Sequence, residues 1–214
     1  LVFLFHYGAF QRLWERENIV QCGPMVRGTS SGINSQPHIL DLKLSLRRNG
    51  FTTNGILVHY TDPFFIRAGS LQGLKYWSGP KLLVCGDLHH GNSPIETLIQ
   101  YQKNEFHDSV SLAFNPMLLQ RVKDNLDVPV HCNPPGFFCY PKRTRDKSPK
   151  RSLLHIGNIG ALHPKRREIV SALFNRGNIP FVHTTTRDAE EAADLYRKYT
   201  LILNVPLNND LNHR

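Results

Sequence analysis

Short apolar runs alternate with helix-like segments along most of this chain. Runs such as Gly55–Tyr60, Lys81–Cys85 and Leu153–Ile156 carry little charge, as strands buried within a sheet do. The segments that follow them suit amphipathic helices, for example Pro94–Lys103 and Pro164–Arg176. Strands and helices that alternate in this way normally form a parallel sheet with helices packed on its faces. The sequence therefore predicts an α/β fold with parallel sheets.

Turn and capping residues set the bounds of the other predicted elements. One helix is expected to end near Gly50, because Arg47 and Arg48 place cations before a glycine, as a helix C-terminus favours. The stretch Gly23–Gln36 is rich in Gly, Ser, Asn and Pro and is predicted to be a loop. The other predicted strands are Leu1–Phe5, Ser109–Phe114, Val128–His131, Pro180–His183 and Leu201–Val205, and the other predicted helices are Phe10–Glu17, His38–Asn49, Phe64–Leu74, Pro116–Asn125 and Asp188–Lys198.

The stretch Asn133–Arg151 differs from the rest of the chain. Prolines and basic residues replace apolar ones, which is typical of a linker, and a solvated surface loop is the alternative explanation of the charges. We predict two Rossmann-like units, over residues 1–135 and 152–214, joined by a basic linker over residues 136–151. The chain starts at Leu1 rather than Met and stops after two α/β repeats of the second unit, so we expect a fragment with an incomplete second unit.

Charge and cysteine content limit the class of protein. The formal net charge of +9 favours anionic partners, and nucleotide phosphates, an acidic glycan, nucleic acid and an anionic membrane surface all fit. The four cysteines have no CxxC spacing, which predicts a reducing cytoplasmic location. The apolar run Leu1–Phe5 is too short for a membrane span or a signal-peptide core. No transmembrane segment is expected, and peripheral membrane contact stays open.

The first candidate site is the turn that follows the apolar run Leu153–Ile156. Gly157, Asn158 and Gly160 allow the backbone to turn tightly and to approach a ligand. Lys165, Arg166 and Arg167 then begin a helix whose apolar face is predicted to consist of Ile169, Val170, Leu173 and Phe174. Loop amides at a helix N-terminus favour an anion, and the cations add to this preference. The turn matches neither GxGxxG nor a P-loop, so an ordinary strand-to-helix turn is the alternative.

The second candidate site follows the strand Lys81–Cys85. Asp87, His89 and His90 lie in the turn after it, and ligands of open α/β sheets bind at the carboxyl ends of strands. A histidine there could act as a general base, whereas the alternative is a turn-forming Asp beside surface histidines. The GD pair and Asp87–His89 also resemble segments of metallophosphoesterases, but each of the three later GN pairs lacks the His that should follow: Ser93, Ile159 and Ile179 stand there. His183 with three threonines after it ends another strand, where it could meet a ligand.

Taken together, these features resemble a GT-B glycosyltransferase and, within that group, the spore-maturation-protein-like, group 1 enzymes. The run LLHIGNIGALHPKRREIVSALFNRGNIPFVH over Leu153–His183 and the segment YTLILNVPLNNDLNHR over Tyr199–Arg214 carry the resemblance as motifs. The remainder of the chain is matched by its architecture alone. The resemblance implies a GT-B arrangement in which residues 1–135 face the acceptor and residues 152–214 begin the nucleotide-sugar domain.

The resemblance also implies roles for individual residues. The co-substrate would be a nucleotide diphosphate sugar, without a bound cofactor or metal, and the acceptor a glycan or another molecule. The diphosphate would be faced by Gly157, Asn158 and Gly160 and neutralised by Arg166 or Arg167, with Lys165, His183 and Arg214 assigned to the same donor site. Asp87, His89 or His90 would act as the base towards the acceptor. A transferase of this kind would be inactive without the rest of its donor domain.

Two other classes remain open at this stage. A non-catalytic module could use the basic stretch to bind a nucleotide, a glycan or nucleic acid. Phe137, Phe138 and Tyr140 adjoin that stretch, but no RRM, KH or zinc signature is present, and DNA is not an expected partner. A metal-dependent phosphoesterase is the second alternative, for which a tightly bound metal would be diagnostic.

Overall fold

The computed structural model describes residues 1–7, 17–26, 32–88, 92–133, 142–160, 163–187 and 189–205, with only the backbone described at Ala68 and Ala189. The chain divides into two compact units, Leu1–Phe137 and Phe138–Arg214. Lys150 and Arg151, which the sequence assigned to the linker, begin a strand of the second unit. The acceptor-side and donor-side roles of the units stay predictions.

Unit 1 is built on a sheet of seven parallel strands. The strands are β1 Val2–Phe5, β2 Ile19–Gly23, β3 Gly32–Asn34, β4 Ile56–Thr61, β5 Lys81–Cys85, β6 Ser109–Leu112 and β7 Val130–Cys132. Their order across the sheet is β3-β2-β1-β4-β5-β6-β7. The strands β2 and β3 are added in turn on one side of β1, and β4 is then added on its other side. Such a reversal is a topological switch point, and here it lies between β1 and β4.

Helices follow the strands of unit 1. They are α1 Ile39–Arg48, α2 Pro63–Gly69, α3 Pro94–Glu105 and α4 Leu119–Lys123, with 3-10 turns at Leu74–Tyr76 and Pro116–Leu118. One apolar cluster joins Phe3 and Phe5 to Leu42 of α1, and another joins Leu83 of β5 to Leu98 of α3. Each fully buried side chain of this kind contributes about 1.5–3 kcal/mol. The core therefore lies between the sheet and the helices that pack on one of its faces.

Unit 2 contains a smaller parallel sheet. Its strands are β8 Lys150–Ile156, β9 Phe181–Thr184 and β10 Tyr199–Ile202, in the order β10-β8-β9, and its helices are α5 Pro164–Arg176 and α6 Ala189–Tyr196. The strand β9 is added on one side of β8 and β10 on the other. The switch point of this unit is therefore between β8 and β10. Leu154 and Ile156 of β8 pack against Ala192 of α6.

The predicted fold class is confirmed, since the chain forms α/β units with parallel sheets. No strand was predicted over Ile19–Gly23, where the structure has β2, and the predicted helix Phe64–Leu74 ends at Gly69. Three further details of the prediction are wrong. The predicted loop Gly23–Gln36 contains β3, a three-residue strand that local sequence does not indicate and that exists because it pairs with β2. The last strand begins at Tyr199 and not at Leu201, because its first residue pairs with Lys150.

The third wrong detail concerns the buried face of α5. Val170 is buried as predicted, but Phe174 is 53% exposed and Arg166 is only 5% exposed. The helix is therefore rotated relative to its apolar pattern, and a guanidinium group occupies part of the buried face. The end of α1 is as predicted, with Gly50 at a φ of +80° directly after the helix. The predicted helix Phe10–Glu17 lies almost entirely outside the described residues.

Within the described ranges, none of the helices has the length and the apolar character needed to cross a membrane.

Candidate functional site

The predicted glycine turn lies at the switch point of unit 2. Gly157 follows β8 with a φ of +150°, which favours glycine, and its amide donates to the Thr184 carbonyl oxygen of β9 at 2.9 Å. The Gly160 amide donates to Asn158 Oδ1 at 2.6 Å, and the His163 amide donates to the Gly160 carbonyl oxygen at 2.9 Å. We call Gly157–Gly160 the switch loop. The helix α5 begins at Pro164, four residues after Gly160.

Arg166 links the switch loop to the chain that follows β10. Its Nη1 donates to the Asn158 carbonyl oxygen at 3.0 Å, while Nε and Nη2 donate to the Val205 carbonyl oxygen at 3.2 and 3.1 Å. Asn158 and Val205 follow the two strands that flank the switch point. The structure therefore brings together residues that are 39 positions apart in the sequence.

Arg167 and Lys165 have exposed side chains on the first turn of α5. Arg167 Nε donates to the Ile159 carbonyl oxygen at 3.0 Å. The first turn of α5 has no acidic residue. Positive charge therefore collects beside the switch loop, where the helix N-terminus already favours an anion.

His183 lies next to His155 on neighbouring strands. Their Nδ1 atoms are 3.0 Å apart and their rings are stacked with centroids 5.1 Å apart. One Nδ1 must donate and the other must accept, so the two rings hold opposite tautomers at that nitrogen. The structure shows the His183 ring in contact with His155. The contact of His183 with a donor ligand stays a prediction.

In unit 1, Asp87 follows β5 at the carboxyl edge of the seven-stranded sheet. The turn is fixed by Asn115, which follows β6 and accepts a hydrogen bond from the Leu88 amide at 2.8 Å. Asn115 is 1% exposed and has a φ of +63°, a conformation that Asn tolerates better than most residues. Asn115 is not among the site residues predicted from the sequence, although an Asn-Pro pair at the end of an apolar run is a turn signal.

A second carboxylate, Asp62, lies at the end of the neighbouring strand β4. Its Oδ1 accepts hydrogen bonds from the Phe64 and Phe65 amides and so caps α2. Burial raises the pKa of the Tyr60 phenol, and the charges of Asp62 and Asp87 raise this pKa further. Burial, again with these two carboxylates, raises the pKa of the Cys85 thiol. Both groups are therefore protonated near neutral pH.

Three predicted site residues, His89, His90 and Arg214, lie outside the described residues. In the ranges that the structure does describe, no group of three or more His, Cys, Asp or Glu side chains is arranged to hold a metal ion.

Unit 1 contains a buried polar cluster that was not predicted from the sequence. His59 Nε2 lies 3.1 Å from Ser70 Oγ, His59 Nδ1 lies 3.2 Å from the Tyr101 hydroxyl, and the His59 ring stacks on His107. Burial lowers the pKa of His59 well below 6.5, and the neighbouring His107 lowers it further. Burial also lowers the pKa of His107 to about 3. These histidines are neutral and structural at neutral pH.

Fold and site together define an α/β class with open parallel sheets and a basic turn at a switch point of its second unit. No family model matches this chain, and no curated protein or solved structure matches it either. What the chain does must therefore be inferred from its own residues.

Proposed function

We propose that this chain belongs to a GT-B-type glycosyltransferase and that unit 2 binds the diphosphate of a nucleotide-sugar donor at the switch loop. The observation that supports this most directly is that the switch loop follows β8 at the switch point between β8 and β10. Open α/β sheets bind ligands at such points. A 13-residue helix whose first turn is basic begins at Pro164, four residues after the loop. A phosphate group suits this combination of glycine turn, helix N-terminus and cations.

The chemistry of sugar transfer explains why such a site would be useful. When the glycosidic bond to the donor breaks, negative charge develops on the departing nucleoside diphosphate. Fixed cations and amide N–H groups that face this charge lower the barrier, without a metal ion being required. In this proposal Lys165 and Arg167 supply the charge directly. Arg167 uses Nε for the Ile159 carbonyl oxygen, so the N–H groups of its two terminal nitrogens are available for the phosphates.

The acceptor would be activated from unit 1. Asp87 lies at the carboxyl end of β5 in a turn that Asn115 holds in place. A carboxylate in such a turn can accept a proton from an acceptor hydroxyl, and His89 and His90 are the neighbouring alternatives. This assignment follows from position at the sheet edge.

Binding of nucleoside diphosphates tests the donor site. We expect UDP or GDP to bind the chain, and Arg167→Ala to weaken that binding about tenfold, because a charged hydrogen bond contributes about 1.5 kcal/mol. Isothermal titration calorimetry measures the dissociation constants. Arg176→Ala is the matched control, since it removes an exposed arginine from the last turn of the same helix and should leave the affinity unchanged.

The absence of binding by every nucleoside diphosphate would contradict the donor site.

A further inference from the structure

The two arginines that begin α5 do different things, although they are adjacent in the sequence. Arg166 is 5% exposed and its guanidinium group donates to the carbonyl oxygens of Asn158 and Val205. Arg167 is exposed and donates through Nε alone to the Ile159 carbonyl oxygen. The buried arginine therefore joins two segments of backbone, whereas the exposed one keeps donors on the surface beside the loop.

The hydrogen bonds of Arg166 connect the segments that follow β8 and β10, on the two sides of the switch-point crevice. The backbone ladder between β8 and the chain after β10 continues as far as the Leu203 amide, which donates to the Leu154 carbonyl oxygen at 2.8 Å. Beyond that point Arg166 is what connects Val205 to the switch loop. A guanidinium group has a rigid planar fork and can hold two carbonyl oxygens at a fixed separation, which a lysine ammonium cannot do.

The same contacts set the direction of the loop amides. In a trans peptide the N–H group points away from the carbonyl oxygen of the preceding residue. Because the Asn158 carbonyl faces Arg166, the Ile159 N–H must point away from that guanidinium group. The Gly160 N–H points away from Arg167 in the same way and is taken up by Asn158 Oδ1. The Ile159 N–H has no acceptor among the described residues.

We propose that Arg166 is a positioning residue that aims the Ile159 N–H at the diphosphate and fixes the two sides of the crevice, while Arg167 contacts the phosphates. This inference rests on the proposed donor site. It adds a division of roles between Arg166 and Arg167, and it identifies a backbone donor that sequence reasoning had not singled out.

Arg166→Lys tests whether Arg166 acts by positioning, because the substitution keeps the positive charge and loses the planar guanidinium group. We expect Arg166→Lys to weaken UDP or GDP binding at least tenfold, with the same dependence of the dissociation constant on salt concentration as the unchanged chain. Arg167→Ala should reduce that salt dependence, because it removes a cation that contacts the ligand. Arg176→Lys is the control for a conservative change elsewhere on α5.

A nuclear magnetic resonance titration of the unchanged chain and of Arg166→Lys separates positioning from a purely structural role. In the unchanged chain, UDP or GDP should shift the Ile159 amide signal, and in Arg166→Lys that shift should be lost while the signals of the strands persist. If the unchanged chain binds the nucleotide without a shift at Ile159, or if Arg166→Lys retains full affinity, the positioning role is overturned. If the unchanged chain binds no nucleoside diphosphate, the proposed function itself fails.

Discussion

Gly23→Ala is expected to destabilise unit 1 by at least about 3 kcal/mol, which is among the larger effects of a single substitution. Gly23 ends β2 with a φ of +144°, and a Cβ atom placed there would lie 1.9 Å from the His6 carbonyl oxygen. That oxygen belongs to the backbone directly after β1, so it cannot move without disturbing the sheet. The Gly23 carbonyl oxygen also accepts hydrogen bonds from the Val26 and Ser35 amides, which a shift of the backbone would break.

Gly50→Ala is the matched control for conformational strain. Gly50 has a φ of +80° as well, but no atom lies within 4 Å of the position that its Cβ would occupy. The left-handed conformation alone should therefore cost about 1–2 kcal/mol. Urea unfolding followed by tryptophan fluorescence measures the difference, since Trp14 and Trp77 both belong to unit 1. Equal midpoints for the two variants would show that the close approach to His6 does not constrain the fold.

Acidification is expected to unfold unit 1 at a pH where carboxylates are still mostly charged. Burial lowers the pKa of His6 to about 4, partly offset by its hydrogen bond to Gln21, and lowers the pKa of His107 to about 3. The same residues in the unfolded chain titrate near 6.5. Between these values the unfolded chain binds protons that the folded chain does not, so stability falls as the pH falls below 6.5. Each such histidine contributes a loss of about 1.4 kcal/mol per pH unit.

His107→Asn isolates one of these contributions. His107 Nδ1 lies 2.8 Å from Gln102 Oε1, and the Asn amide nitrogen can occupy nearly the same place as that donor. His107 Nε2 is buried and has no hydrogen-bond partner among the residues that the structure describes, so the substitution also removes an atom unsatisfied within them. We expect the slope of stability against pH, between about pH 5.5 and 4.5, to fall by about 1.4 kcal/mol per pH unit.

The control for this experiment is His131→Asn, because His131 lies on β7 with its side chain exposed. The slope of stability against pH should be the same in His131→Asn as in the unchanged chain. An unchanged slope in His107→Asn would mean that this histidine is protonated in the folded state, contrary to its burial.

These two predictions concern unit 1, whereas the proposed donor site is in unit 2. Each unit has its own sheet and its own core clusters, so stability and nucleotide binding can be measured separately in the same chain. Variants of Gly23 or His107 that remain folded should retain the nucleotide affinity of the switch loop. This provides an internal check that losses of affinity in the α5 variants arise at the loop.

The buried polar cluster around His59 explains why unit 1 should be sensitive to acid. His59, Ser70 and Tyr101 satisfy one another between β4 and α3, where water does not reach. Such a network stabilises the fold while its members are neutral, and it becomes a cost when one of them must take up a charge. Local sequence does not identify the partners of His59, because Tyr101 is 42 positions away.

The sequence by itself determined the class of fold and the place of the candidate donor loop. Apolar runs with helical segments between them required parallel strands, and the glycines after β8 with the cations after Pro164 marked a strand, a turn and a helix start. These features depend on hydrophobic spacing and on turn-forming residues, and both act over a few neighbouring positions. The bounds of α5 accordingly coincide with the prediction.

Only the tertiary structure decided the strand orders, the two switch points and the different orientations of Arg166 and Arg167. Strands that lie side by side in a sheet are far apart in the chain, so local pattern does not show that β9 and β10 pair with opposite sides of β8. Likewise, Arg166 is buried because Val205, 39 residues later, returns to meet it, although its charge alone would favour solvent. Hydrogen bonding to distant carbonyl groups outweighed that local preference.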